Sequence, residues 1–270
     1  MESFLEDEIC LEIVGKTVLK ERSIWRRNIK DENGDGDKLS QYVAGRIPYF
    51  YRDPAKIAQD FFEQLNAINA IADLCRKLPT EEHFRCSHFG EILSSLYIQE
   101  VLEYKILLRK LTQLTAENTN VHKMDVMCVD TKSNPYKYMW FEVKTCRRHN
   151  TVYHRNGIYK QMKDSLEKYK NGDKRFDFVQ IKDNISSSDF TSEEMRKVRK
   201  DLDPPGPKLT YHGMAVINIS TVDAKDEEYL LSQSSAIDYD VRILTLLDLK
   251  AVSEEAYGVY ENIKKVAEIK

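Results

Sequence analysis

Two strand-forming segments joined by a short polar turn, residues 121–130 and 138–148, constrain the fold more than any other part of the chain. Both segments are rich in Val, Met, Phe, Tyr and Trp, residue types that favour β-strands. The turn between them, residues 131–135, ends in Asn-Pro, a dipeptide typical of turn starts. The sequence therefore predicts a β-hairpin centred between Ser133 and Asn134.

The register of this hairpin gives one of its faces an unusual set of charged side chains. It places Asp125 directly opposite Glu142, and opposed residues have Cβ atoms about 5 Å apart on a shared face. Because strand side chains alternate, Lys144 lies on that face as well. Opposed carboxylates repel each other and destabilise a sheet, and a cation between them removes the repulsion. Carboxylate oxygens suit a hard ion, so the pattern predicts a magnesium site.

Asp125 followed by Glu142-Val143-Lys144 on the next strand resembles the core of the PD-(D/E)xK nuclease superfamily. The resemblance covers about residues 83–180 and implies a restriction-endonuclease-like fold. Such nucleases carry an acidic residue on the helix before the first core strand, and Glu91 in the segment His-Phe-Gly-Glu matches that position.

Two parts of the superfamily pattern are matched less closely. Members often have a helix with a Gln and a Tyr after the second strand, and Gln161 and Tyr169 match these at a wider spacing. The Pro of the motif name is absent, because Lys123 and Met124 precede Asp125. Both Gln161 and Tyr169 are nevertheless expected to face the nucleic acid.

The resemblance implies a role for each residue of the core. Asp125, Glu142 and the backbone carbonyl of Val143 would be ligands of Mg²⁺, or of Mn²⁺ in its place. Glu91 would bind a second metal ion or a water on the metal. Lys144 would orient the attacking water or stabilise the developing charge. These assignments make Glu91, Asp125, Glu142 and Lys144 the predicted catalytic residues.

Structural alternatives exist for both parts of this set. Asp125, Glu142 and Lys144 could form a buried ion cluster, although such clusters rarely stabilise a fold relative to apolar residues. Glu91 could merely complement the dipole of its helix. The adjacent Gly90 favours a functional role, since glycine lets another backbone or a ligand approach closely.

The whole-chain pattern is also similar to the HamA family, the nuclease subunit of the bacterial Hachiman anti-phage system. The similarity rests on the Gly-Glu helix at 90–91, the strand segment His-Lys-Met-Asp and the strand segment Phe-Glu-Val-Lys-Thr. It implies antiviral defence, DNA cleavage with little sequence preference, and a separate helicase partner, HamB, that holds the nuclease in check. A catalytically silent DNA-binding or scaffold subunit, or an RNase of the same fold, remain alternatives.

Charge is distributed unevenly along the chain. Residues 144–175 contain ten Lys or Arg against three Asp or Glu, a local balance of +7 within a chain of net charge −3. A local basic segment suits a phosphate backbone, and His154 between Tyr153 and Tyr159 suits stacking on unpaired bases. The predicted nucleic-acid contacts are Arg147, Arg148, His154, Arg155, Gln161 and Tyr169. The acidic remainder offers surface to a basic partner protein.

Composition bounds the class of protein. A hydrophobic fraction of 41% and a charged fraction of 31% are typical of a globular chain. The five cysteines are scattered and never form a C-x-x-C pair, which argues against a disulfide framework and a cysteine zinc site. No signal-peptide core opens the chain, and no apolar run approaches a membrane span. We therefore predict a cytoplasmic protein without membrane contact.

The remaining pattern alternates strands and helices, which predicts an α/β or α+β fold with a mixed central sheet. We expect an N-terminal strand-plus-helix extension over residues 1–80, packed on the body and facing the partner, and a nuclease domain over 81–270. The predicted helices cover 53–78, 87–114, 191–202, 225–232 and 253–269, and the predicted later strands cover 176–182, 211–222 and 241–247.

Overall fold

The structure is a computed structural model of the 270-residue chain. It describes residues 10–19, 22–30, 37–52, 54–63, 74–114, 118, 125–146, 152–185, 189–223, 225 and 240–268. The strands are β1 (Cys10–Leu19), β2 (Arg22–Lys30), β3 (Lys105–Arg109), β4 (Val126–Asp130), β5 (Lys137–Cys146), β6 (Leu209–Asn218) and β7 (Val241–Leu246). The helices are α1 (Asp37–Ala44), α2 (Ile47–Tyr51), α3 (Pro54–Glu63), α4 (Glu82–Glu100), α5 (Val152–Asn171), α6 (Arg175–Asn184), α7 (Ser192–Asp201) and α8 (Leu249–Glu268).

The described strands form one mixed sheet in the order β1-β2-β7-β6-β5-β4-β3. The central strands β2, β7, β6 and β5 run parallel, and β1, β4 and β3 are added as antiparallel neighbours. Parallel strands are covered on both faces, so their sequences are apolar without interruption. The run Met214–Ile217 in β6 is buried at every position, as this rule requires.

Helices pack on both faces of the sheet, so the fold is α/β as predicted. Helices α1, α2, α4 and α8 share one apolar cluster with the sheet, and α5, α6 and α7 share the other. Neighbouring residues of β5 divide between these clusters: Trp140 packs towards α5, and Phe141 packs towards α4. This alternation places Glu142 and Lys144 on the α5 side of the sheet.

The predicted hairpin is confirmed in its register. Val126 pairs with Phe141 and Asp130 pairs with Lys137 in an antiparallel ladder. The next position in this register sets Asp125, immediately before β4, opposite Glu142. The two carboxylates therefore lie at the same end of the hairpin, on the same face.

The predicted helix over residues 87–114 is wrong in its second half. Helix α4 ends at Glu100, and the chain reverses with Glu103 in the left-handed region at φ 56°. The following residues Ile106–Leu108 are all buried, because β3 lies in the sheet with apolar neighbours on both faces. A 3₁₀ turn over Lys110–Gln113 then closes the segment.

The predicted strand over residues 176–182 is also wrong, because this segment is helix α6. Phe178, Ile181 and Ile185 are buried, at a spacing of three and four residues, whereas Val179 is half exposed. That pattern has the period of a helix rather than a strand. The apolar residues pack against the sheet beside α5 and α7.

The other predicted elements fare better. The capping box at Thr191 is present, with Thr191 and Glu194 exchanging side-chain and backbone hydrogen bonds at the start of α7. Strands β6 and β7 and helix α8 match their predictions to within a few residues. Residues 64–73 of the predicted first helix and almost all of the predicted helix 225–232 lie outside the described residues.

The N-terminal residues extend the same sheet. Strand β2 pairs with β7, and α1 packs against α8, where the Tyr260 hydroxyl donates a hydrogen bond of 2.6 Å to the Ala44 carbonyl. A division of the chain near residue 80 remains a prediction. Among the described residues, no helix is long and apolar enough to cross a membrane. Cys75, Cys86, Cys128 and Cys146 are free thiols.

Candidate active site

Asp125 and Glu142 form the centre of the site at the open end of the hairpin. Both residues are buried, with 6% and 5% of their surfaces exposed. The Asp125 Oδ2 atom accepts a hydrogen bond of 2.7 Å from the backbone N–H of Val143. At this position the Asp125 side chain, rather than the backbone of β4, accepts the hydrogen bond from β5. The bond fixes the Asp125 carboxylate beside β5.

Glu91 reaches the same point from the other helical layer. It lies on α4, where Gly90 allows a close crossing: a Cβ on Gly90 would lie 2.2 Å from Thr145 Cγ2 of β5. Any side chain at residue 90 would therefore push α4 away from the strand. The close approach predicted for Gly90 is with the sheet, and it carries Glu91 to the end of β5.

Two ammonium groups neutralise part of this acidic cluster. The Lys144 Nζ atom lies 2.5 Å from Glu142 Oε1. The Lys110 Nζ atom lies 2.8 Å from Asp125 Oδ1 and 3.3 Å from Glu91 Oε1. Lys144 was predicted from the strand pattern, whereas Lys110 was missed because residues 105–113 were interpreted as part of a helix.

Helix α5 forms the opposite wall through Gln161, Ser165, Lys168 and Tyr169, which share one helical face. The hydroxyl of Ser165 is hydrogen-bonded to Glu142. The Tyr169 ring packs on Trp140 with 4.8 Å between centroids. The wide spacing of Gln161 and Tyr169 is thus two helical turns, and both line the site as predicted. Ser165 and Lys168 lie on the same face of α5, so the helical period of the sequence could have identified them as further residues of the site.

These groups surround a cleft of about 440 Å³. Its lining includes all four predicted catalytic residues, Val143, and the α5 residues Gln161 and Tyr169. Side chains from α4, the 3₁₀ turn, the β4–β5 hairpin and α5 therefore converge on one opening. Such convergence of separate elements on a concave polar surface is typical of an active site.

The chain as a whole matches a known family. A model of the HamA family matches residues 2–254 of the chain. The chain belongs to the HamA family. Membership makes it a component of the Hachiman defence system and implies a partner within that system. A search of curated proteins finds no match.

The basic segment predicted to contact nucleic acid is only partly described in this HamA family member. Arg147 and Arg148 lie outside the described residues. His154 and Arg155 belong to the first turn of α5, and their side chains lie outside the description. Helix α5 continues from His154 and Arg155 to Gln161 and along the cleft wall.

Glu91 and Glu142 resist ionisation in the metal-free protein. Burial, and then the charge of Asp125, raise the pKa of Glu91 to about 8 and the pKa of Glu142 to about 7. The pKa of Lys110 is raised by Glu91 and Asp125, against the effect of its burial, so Lys110 stays an ammonium. Its closer partner is Asp125, at 2.8 Å against 3.3 Å for Glu91.

The donor set fits a divalent cation. Glu91 Oε2 is buried and has no hydrogen-bond partner among the described residues. A buried orphan oxygen beside two further carboxylates matches the hard-oxygen chemistry of Mg²⁺ or Mn²⁺. In the described part of the chain, no three acidic, His or Cys side chains are already gathered as ligands. Lys110 and Lys144 occupy carboxylate oxygens that an ion would need.

The raised pKa values predict how the metal-free protein responds to pH. Both groups have folded-state pKa values above their ordinary value of 4.5, so their contribution to stability is complete below pH 4.5. It is lost as the pH rises through about 7 and 8. We expect the free energy of unfolding in EDTA to fall by roughly 2 kcal/mol or more between pH 5 and 8.5.

Urea unfolding at several pH values measures this fall. The Glu91→Gln variant is the control, because it cannot ionise at that position and its stability should fall less over the same range. Saturating Mg²⁺ should reverse the trend, since ligand carboxyls must lose protons to bind metal. A pH-independent stability in EDTA would contradict the assignment of protonated carboxyls.

Proposed function

We propose that this chain is a metal-dependent nuclease that cuts DNA with little sequence preference. The observation that supports the proposal best is the meeting of Asp125, Glu142 and Lys144 with Glu91 in one cleft. We also propose that a helicase subunit of the Hachiman system binds the chain and restrains it. A nuclease with little sequence readout would damage the DNA of its own cell without such restraint.

Phosphodiester hydrolysis requires a positioned water, stabilisation of charge on the phosphorus and help for the leaving oxygen. Mg²⁺ or Mn²⁺, held by Asp125, Glu142 and Glu91, would supply Lewis-acid stabilisation of that charge. The Val143 amide holds Asp125 in a fixed orientation, which lowers the cost of reorganisation during the reaction. The carbonyl oxygen of Val143 is a further candidate ligand at the lip of the cleft.

Lys144 is the chain's own candidate for handling the attacking water. Its ammonium lies on Glu142 but the side chain is 23% exposed, so it borders both the carboxylates and the open cleft. From there it can orient a water or contact a phosphate oxygen. Gln161 and Lys168 line the opposite wall, and in this proposal they would contact the backbone of a bound strand.

Incubation of the purified protein with plasmid, linear duplex DNA, single-stranded DNA and RNA tests the proposal. Each substrate is tested with and without Mg²⁺ and with and without the helicase subunit. Cleavage of DNA that requires the metal supports the proposal. Cleavage of RNA alone would establish an RNase instead, and metal-dependent binding without cleavage of any substrate would favour a scaffold.

Glu91→Gln tests the role of the α4 carboxylate. Gln is nearly as good a helix former as Glu, so α4 should persist. Because one ligand oxygen loses its charge, we expect at least a tenfold loss of cleavage rate and a shift of the Mg²⁺ titration to higher concentration. Glu82→Gln, in the first turn of the same helix and outside the cleft lining, is the matched control. Glu91 lies in the middle of α4 rather than in its first turn, where a carboxylate complements the helix dipole. An unchanged titration would therefore show that Glu91 is not a ligand of the metal.

Charge reversal of Arg147, Arg148 and Arg155 to Glu tests the basic segment. We expect weaker DNA binding on all sequences and a flatter dependence on salt, because fewer counterions are released. The control reverses Lys137, Arg196 and Lys225, which are exposed and outside the cleft lining, and changes the net charge equally. Fluorescence anisotropy at several salt concentrations measures both. If the two triple variants weaken DNA binding equally, the effect comes from net charge and not from a contact of the basic segment with DNA.

A further inference from the structure

Lys110 lies inside the acidic cluster rather than beside it. Its Nζ atom bridges Asp125 Oδ1 at 2.8 Å and Glu91 Oε1 at 3.3 Å. Only 10% of its side chain is exposed, and its two partners are 8% exposed or less. A buried ammonium between two buried carboxylates therefore occupies the kind of position that a metal cation would take.

The hydrogen bonds of Asp125 show why Lys110 has to move when an ion binds. Oδ2 of Asp125 is taken by the Val143 amide, which is fixed by the sheet, and Oδ1 is taken by Lys110. Each oxygen keeps a further lone pair, but an ion bound at Oδ1 would lie close to the Lys110 ammonium, and the two positive charges would repel each other. The backbone amide cannot leave without distorting β5, whereas the ammonium is the end of a flexible four-carbon chain.

The local charge balance also supports the replacement of the Lys110 ammonium by a divalent ion. Three carboxyl groups, Glu91, Asp125 and Glu142, face two ammonium groups, Lys110 and Lys144. Full ionisation leaves one negative charge, which a divalent ion would convert to one positive charge. A site of that sign favours an anionic phosphodiester, and with Lys110 displaced towards the cleft its charge remains available to the substrate.

We propose that Lys110 is an internal cation that holds Asp125 and Glu91 in place without metal and competes with the divalent ion for both carboxylates. The inference rests on the proposed metal site and adds a way in which the chain limits its own metal affinity. Lys110 is thus a positioning residue, and metal binding requires its displacement.

Isothermal titration calorimetry with Mn²⁺ tests this inference directly. Lys110→Gln removes the competing charge and keeps a hydrogen-bonding side chain, so Mn²⁺ should bind about tenfold or more tightly than in the wild type. Lys110→Arg keeps the charge and binds carboxylates through two N–H groups, so Mn²⁺ should bind more weakly. Lys105→Met removes an ammonium paired with Glu194 at the start of β3, the strand that precedes Lys110, and should change the affinity less than twofold.

Thermal unfolding provides a second readout. Lys110→Gln should lower the unfolding temperature in EDTA, because it leaves buried carboxylates without a cation, and added Mn²⁺ should raise it more than in the wild type. If Lys110→Gln does not fold without metal, refolding with Mn²⁺ and the weaker affinity of Lys110→Arg decide the question.

The failures of the two proposals differ. Mn²⁺ binding to the wild type with equal or weaker affinity in Lys110→Gln would overturn the role of Lys110 and leave the metal site standing. The absence of Mn²⁺ binding in the wild type and in both Lys110 variants would overturn the metal site and the inference together. Binding in Lys110→Gln but not in the wild type would support both.

Discussion

Replacing Glu142 or Lys144 with Ala is expected to abolish DNA cleavage, with a loss of at least about 100-fold in rate. Glu142 is the carboxylate at the centre of the cleft, and Lys144 is its ion-pair partner at 2.5 Å. Loss of Glu142 removes a candidate metal ligand, and loss of Lys144 removes the group that we propose orients the attacking water. Plasmid cleavage in Mg²⁺, followed over time, measures both losses.

The same substitutions should leave the protein folded. Burial and the charge of Asp125 raise the pKa of Glu142 to about 7, so this carboxyl is not needed as an anion for stability. Removing it relieves repulsion with Asp125 in the metal-free protein. We therefore expect Glu142→Ala to unfold at the wild-type temperature or above it in EDTA, which circular dichroism can measure.

The matched controls are Glu167→Ala and Lys163→Ala on α5. Their side chains form an ion pair four residues apart on the helix that walls the cleft, and neither lines it. A partly exposed pair on one helix contributes little to stability, so both variants should cleave at the wild-type rate. Wild-type cleavage by the double variant of Glu142 and Lys144 would show that the chemistry takes place elsewhere.

The site could be predicted from sequence wherever it depends on local pattern. The turn composition placed the hairpin, and its register then put Asp125 opposite Glu142, as the ladder from Val126 to Asp130 confirms. Strand alternation added Lys144 without any tertiary information. The face of α5 could also be predicted, because Gln161 and Tyr169 are about 2.2 turns apart and so lie on the same side of the helix.

Lys110 could not be predicted because its placement depends on tertiary structure. The apolar residues at 106, 108 and 111 are compatible with the period of α4, so the sequence predicts that the helix continues through them. In such a helix Lys110 would lie far from the hairpin. In the structure the chain reverses at Glu103, and β3 adds to the edge beside β4. The close contact of Gly90 with Thr145 is likewise a contact between two elements. The sequence indicates that residue 90 allows a close approach, but not which residue approaches it.

The partner of the proposed nuclease is expected to dock on the N-terminal 80 residues. Glu91, Asp125, Glu142 and Lys144 all lie beyond them, so a partner can bind there without competing with the cleft ligands. Two large apolar side chains of this part are unusually exposed: Phe62 on α3 is 88% exposed, and Tyr49 on α2 is 43% exposed. Exposed aromatic residues are enriched as anchors of protein interfaces.

Co-expression of the chain with the helicase subunit should therefore give a stable complex in size-exclusion chromatography, and Phe62→Asp with Tyr49→Asp should weaken it at least tenfold. Val259→Asp, an exposed apolar position on α8, is the control for a surface charge.

The complex should hold the nuclease inactive until it meets aberrant or invading DNA, because free cleavage would be toxic. Phage challenge of cells that carry both proteins tests the nuclease and the partner proposals together. The Glu142→Ala variant should form the complex normally and give the cells no protection against phage. Separate elution of the two wild-type proteins would refute the partner, and protection by Glu142→Ala would favour a scaffold whose cleft performs no cleavage.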